Sequence, residues 1–223
     1  MKLLICLTVF AATMAHAAPV DRPWMHYNEL LELLKMDRFY AVPANRRDKV
    51  VMRGVVKPND AAIAPGDVVF TIAHGAERQR IQVDADGGFD VPFNPDWVKS
   101  NPEVLTTIPA GQKAKFGFNA IPVLPQKLQF SYASLMDSVP QVNALIKSQA
   151  GMLRFLMPTL VGVKLQFAKA SHATASLTTA DGVKRLAADA NGVIKLPLDQ
   201  TLLTANVPVT LSELPASADF LEN

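Results

Sequence analysis

The chain has 223 residues, of which 49% are hydrophobic and 19% charged, with a formal net charge of +2. That balance can bury a core and excludes a disordered chain, and the near-neutral charge gives no field that would recruit nucleic acid or an anionic membrane by electrostatics alone. Neither nucleic acid nor a cofactor is expected as a partner.

Residues 1–17 read as an export signal. Lys2 supplies the positive end, Leu3 to Ala12 form an apolar run, and Ala15-His16-Ala17 places small residues at the two positions that determine cleavage. The run falls short of the roughly 20 residues that a spanning helix needs. The mature chain is therefore expected to begin at Ala18, in a bacterial periplasm or, as the alternative, secreted. Cys6 is the only cysteine and lies inside this signal, so no disulfide, thiolate metal ligand or cysteine nucleophile is expected after processing.

The first expected element is a helix, because Tyr27, Leu30, Leu31 and Leu34 recur at three- and four-residue spacing while Asn28, Glu29 and Glu32 take the other face. Arg46-Arg47-Asp48-Lys49, with Arg53 and Lys57, is the densest basic stretch and reads as a solvated loop, since Asp48 interrupts it. Val68 to Ala73 alternate as a strand. Ile81 and Val83 lead into Asp86-Gly87, and Phe89, Val91 and Phe93 leave it, a pattern that predicts a two-residue hairpin turn. A short helical or looped segment at Asn94 to Ser100 precedes strands at Val104 to Ile108 and Ala114 to Phe118. Ile121-Pro122-Val123-Leu124-Pro125-Gln126 then reads as a proline-stiffened linker that holds its two sides close.

The same order returns at an offset of 105 residues. Asp84, Ala85, Gly87 and Pro92 lie over Asp189, Ala190, Gly192 and Pro197; Asn101 lies over Asn206; Tyr27 lies over Tyr132. The second copy has a longer helical region, in which Val142, Leu145, Ile146, Leu153, Leu156 and Met157 keep broadly helical spacing until Pro158 stops it. Strands follow at Ala173 to Thr178 and around Asn191-Gly192, then a loop or short helix at Asp199 to Ala205 and a strand at Val207 to Leu211. Two distant segments that agree on one offset predict a duplication with an insertion or deletion between them, giving domains at 24–123 and 128–223. The expected fold class is α+β, each domain an N-terminal helix packed on an antiparallel sheet of about five strands. Two β-sandwiches with peripheral helices are the alternative.

The chemistry is less legible. Asp84, Asp86 and Asp90 suggest a calcium site by their closeness, but the second copy has Asn191 and Lys195 at the places of Asp86 and Asp90, so a hairpin tip with solvated carboxylates is the reading adopted. His26, His74 and His172 are too far apart in sequence for a compact zinc motif. His74 with Glu77, Arg78 and Arg80, or Ser171-His172 with a remote acid, could assemble a site, but neither stands within a hydrolase motif. No catalytic, cofactor-binding or metal residue is assigned. Tyr27/Tyr132, Asn101/Asn206 and Pro92/Pro197 read as framework residues, and Trp97 as core or ligand platform. Gly151 to Leu165 is apolar but carries Arg154, Pro158 and Lys164, so no integral membrane segment is expected in the mature chain. The expected function is a non-enzymatic binding or assembly module of the periplasm, of unknown ligand, with a periplasmic or envelope protein as the candidate partner. The alternative is an enzyme whose site lies in the cleft between the domains.

Overall fold

The computed structural model of the chain describes residues 21–149 and 158–223. The export signal, its cleavage site, Cys6 and the end of the second copy's helical region, with Leu153, Leu156 and Met157, lie outside the described residues.

The first half begins with a strand that sequence reading missed, β1 (Arg22–His26), then α1 (Tyr27–Leu33), α2 (Met36–Ala41), β2 (Val50–Pro58), β3 (Val69–His74), β4 (Glu77–Gln82), β5 (Gly88–Phe89), α3 (Pro95–Ser100), β6 (Glu103–Thr106) and β7 (Ala114–Pro122). The second contains β8 (Gln129–Ser131), α4 (Tyr132–Met136), α5 (Ser138–Gln149), β9 (Leu160–Gln166), β10 (Thr174–Thr179), β11 (Gly182–Ala187), β12 (Val193–Pro197), α6 (Gln200–Ala205), β13 (Pro208–Leu211) and β14 (Ser217–Glu222). The strands form four antiparallel sheets, ordered β1-β6-β3-β4, β5-β2-β7, β8-β13-β10-β11 and β12-β9-β14. The chain is thus a mixed, β-rich α+β structure.

Its sheets differ from the expected ones. Residues 22–122 make a four-stranded and a three-stranded sheet instead of one sheet of about five strands, because β2 pairs with β5 and β7 while β3 pairs with β4 and β6. The two meet across an aromatic layer: Phe70 of β3 lies 4.9 Å from Phe89 of β5, and Trp24 of β1 stacks on Phe70 at 5.1 Å and on Phe116 of β7 at 4.8 Å. Helix α1 is part of this core, with Tyr27, Leu30, Leu31 and Leu34 buried, as the apolar spacing required.

The Asp-Gly turn is also not a hairpin. Gly87 N–H donates to the Asp84 carbonyl at 2.9 Å and Asp84 N–H to the Gly88 carbonyl at 2.8 Å, with Gly87 at φ 91°. This is a longer turn closed by a glycine in the left-handed region, not a two-residue one. Beyond it the flanking strands part, β4 to β3 and β5 to β2, so the turn carries the chain from one sheet to the other. Asp189, Gly192 and Val193 make the same two bonds at 2.8 and 3.0 Å, and there too β11 goes to β10 and β12 to β9. The true hairpins are β3–β4, where His74 faces Glu77, and β10–β11, where Thr179 faces Gly182.

The junction between the halves is packed. Helix α5 lies against β2 and β7 of the first half as well as β9 of the second, and β14 lies beside β7. Gln141 of α5 accepts from Lys49 N–H at 3.0 Å and donates to the Asp48 carboxylate at 2.7 Å. The expected linker is in part strand: β7 runs to Pro122, and Val123 N–H extends the ladder to the Lys49 carbonyl.

Candidate functional site

Three framework residues meet in each half. The Tyr27 hydroxyl, on the buried face of α1, donates to the Pro92 carbonyl at 2.7 Å and accepts from Asn94 N–H at 3.2 Å. Tyr132 repeats this with Pro197 at 2.6 Å and Asp199 N–H at 3.0 Å. Asn101 and Asn206 end α3 and α6 in the left-handed region, at φ 47° and 46°, and their Oδ1 atoms accept from Asn28 N–H and Ala133 N–H at the starts of α1 and α4. One asparagine thus ends one helix and caps the next. Burial raises the Tyr27 and Tyr132 hydroxyl pKa values above the ordinary 10.0.

The acidic turn is tied to Arg53. Its Nη2 meets Asp84 and its Nε meets Asp90, each at 2.7 Å, while Asp86 accepts from Gly88 N–H at 3.1 Å. Among the described residues no group of three or more His, Asp or Glu is placed to hold a metal ion. Arg53, Asp86 and Asn119 form one wall of a cleft of about 340 Å³ whose other wall is Ser217, Ala218 and Asp219 of the second half, with Asp219 paired to Lys164 at 3.2 Å.

The other polar candidates are dispersed. Glu77, Arg78 and Arg80 are exposed on edge strand β4, and Arg78 Nη1 donates to the Gly75 and Glu77 carbonyls. The Ser171 hydroxyl donates to the Glu213 carboxylate and accepts from Ala173 N–H, leaving His172 exposed beside it. His26 pairs through Nδ1 with the Asn101 carbonyl. In the basic stretch, Arg47 lies over the rings of Phe39 and Tyr40 at 5.2 and 4.9 Å and donates to the Val42 carbonyl, so it is a structural group and not a loose loop cation.

An open groove of about 460 Å³ lies where α1, α2 and α3 meet, a site that sequence reading missed. Leu31, Ala41 and Val98 supply apolar lining, and Tyr40 stacks on Phe93 with ring centroids 4.1 Å apart. Phe93 and Val98 are 40% and 38% exposed, large for apolar side chains. Glu32 and Asp37 are both exposed and stand at the rim. Asn28 completes the lining; its Nδ2 donates to the Val98 carbonyl, whereas its Oδ1 is buried without a partner among the described residues. The sequence signal was the pair of prolines around Phe93: Pro92 and Pro95 break the strand and turn an expected inward residue outward. Trp97 is half-buried and sets its ring edge against Tyr27 at 5.6 Å, a core role.

Residues 68–167 match a family described as "Protein of unknown function (DUF2987)". The matched stretch runs from the start of β3 to just past β9, crossing the junction between the halves. No curated protein and no solved structure matches the chain. Among the described residues no helix is long and apolar enough to cross a membrane.

Proposed function

We propose that the chain is an exported, non-enzymatic binding or assembly module of the bacterial envelope, built from two like units by internal duplication. The groove between α1, α2 and α3 carries this reading, because exposed Phe93 and Val98 beside the Tyr40 ring form a contiguous apolar surface of the kind that marks a protein contact. Support for export comes from the residue 1–17 pattern, and its test is the intact mass of protein from the periplasmic fraction, which should start at Ala18.

Support for duplication comes from matched sheet orders and from the register. Gly54 pairs with Phe89, and Leu165 pairs with Ile194. Since Phe89 and Ile194 differ by 105 positions while Gly54 and Leu165 differ by 111, the second unit has six extra residues before β9, where α5 is the longer helix. The offset is back to 105 at β3 and β10, where Phe70 pairs with Ile81 and Ala175 with Leu186, so the six residues are compensated between β9 and β10. Gly54 also pairs with Phe118 and Leu165 with Ala218, a difference of 100, which places a further shortening of five residues before β14.

The binding test is site-specific photocrosslinking in cells. A photoreactive residue at Val98 should yield an adduct that the same residue at Gln79, on exposed strand β4, does not. Absence of a Val98-specific adduct would remove the reading.

The alternative, an enzyme at the cleft between the halves, draws on the polar lining from both sides. Its charged groups are already engaged within their own halves, Arg53 by Asp84 and Asp90 and Asp219 by Lys164, which leaves no free acid–base pair facing across the cleft among the described residues.

A further inference from the structure

We infer that the groove beside Tyr40 and Phe93 receives a lysine or arginine side chain of a partner polypeptide, flanked by aliphatic residues; this rests on the binding reading above and names its ligand chemistry. The charged lining residues are both acidic. Glu32 and Asp37 are exposed on the groove's lining, neither in an ion pair among the described residues. Between them lie the apolar surfaces of Leu31, Ala41 and Val98 and the stacked rings.

An anionic side chain meets repulsion there, and a purely aliphatic one leaves the carboxylates unused. A lysine or arginine satisfies both parts, because its methylene stem covers apolar surface while its head reaches the carboxylates. The Tyr40 ring itself is already covered, by Phe93 stacked at 4.1 Å and by Arg47 at 4.9 Å from its centroid, so the attraction for the head comes from the carboxylates.

The second half lacks this equipment. At the 105-residue offset, Asn28, Phe93 and Val98 correspond to Ala133, Leu198 and Leu203, while Glu32 corresponds to Asp137. The framework tyrosine, asparagine and proline are common to both halves, so the amide and the ring at this surface are features of the first half alone.

The test is a titration of the purified exported protein, followed by ¹⁵N NMR, with acetyl-Leu-Arg-Leu-amide and acetyl-Leu-Glu-Leu-amide. The arginine peptide should shift amides within residues 28–41 and 93–98 and bind about fivefold or more tightly than the glutamate peptide, a modest ratio because exposed carboxylates act in high dielectric. The double variant Glu32→Gln/Asp37→Asn should keep a dispersed spectrum and lose the preference. Equal affinity for the two peptides, shifts confined to other surfaces, or no shifts up to millimolar peptide would overturn the inference. Cadaverine alone binding as well as the arginine peptide would overturn the polypeptide assignment. A Val98 adduct in cells without any peptide preference would leave the binding reading standing and remove only this one.

Discussion

The Tyr132 hydroxyl donates to the Pro197 carbonyl at 2.6 Å across 65 residues of sequence, and Tyr27 and Pro92 make the same bond across the same separation in the first half. Each hydroxyl also accepts from the backbone N–H that follows, at Asn94 or Asp199. Tyr→Phe at either site leaves a carbonyl and an N–H without their partner while keeping the ring packed. Tyr27→Phe and Tyr132→Phe should each cost about 1–3 kcal/mol in urea denaturation, with nearly additive effects in the double variant.

Alkaline pH should act through the same tyrosines. Burial is the leading cause that raises the pKa values of Tyr27, Tyr40 and Tyr132 above 10.0 in the folded chain. Below that ordinary value both folded and unfolded states hold the proton, so these groups give no slope. Above it the unfolded chain ionises first, and stability is lost as pH rises toward and through the folded values. Urea midpoints should fall above pH 10, and less steeply in the Tyr27→Phe/Tyr132→Phe variant than in the parent.

Legibility in the sequence followed how local each signal is. Helix α1 was readable because the spacing of Tyr27, Leu30, Leu31 and Leu34 is set within two turns. Strand β2 was not, since Val51 and Val55 face outward among the inward Val50, Met52 and Val56 and hide the alternation. The Asp86-Gly87 turn was visible, but whether its flanking strands pair with each other or with distant partners is a nonlocal choice that four residues do not encode. The groove was hidden for a related reason: Phe93 continues an inward alternation from Phe89 and Val91, and only the flanking prolines divert it.

Asn101 combines a backbone role and a side-chain role, and substitutions can separate them. Glycine keeps access to φ 47° but loses the Oδ1 bond to Asn28 N–H at 3.0 Å; alanine loses that bond and is strained in the left-handed region as well. Asn101→Gly should cost about 0.5–1 kcal/mol and Asn101→Ala about 1–2 kcal/mol more. The same ranking should hold at Asn206, whose φ is 46°. Thermal or urea unfolding of the four variants measures it.

The two halves should unfold together. Helix α5 packs on β2, β7 and β9, and Gln141 joins it to Lys49 and Asp48, so separating the halves strips a helix of partners on both sides. Chemical denaturation followed by tryptophan fluorescence, which reports Trp24 and Trp97 of the first half, and by far-ultraviolet circular dichroism should give coincident single transitions. Gln141→Ala should leave the transition single and let the Asp48 carboxyl, held below its usual value first by the Gln141 hydrogen bond, return toward the ordinary range in an NMR titration.

Calcium should leave the protein unchanged. The three closely spaced acids of the first turn suggest a hard-cation site, yet Arg53 meets Asp84 and Asp90 at 2.7 Å and the Asp86 carboxylate accepts from Gly88 N–H. A cation would have to displace the guanidinium and still find most of the six to eight oxygens that calcium takes. The second turn closes with the same backbone bonds although Asn191 and Lys195 replace two of the acids, so glycine in the left-handed region and not charge defines the turn. The counter-ion of the first turn is therefore part of the chain. Millimolar calcium or EDTA should leave the Tm of the parent within error, while Arg53→Met, which removes that counter-charge from partly exposed carboxylates, should cost about 1 kcal/mol. A rise of several degrees with calcium that Asp86→Ala abolishes would establish a cation site at this turn.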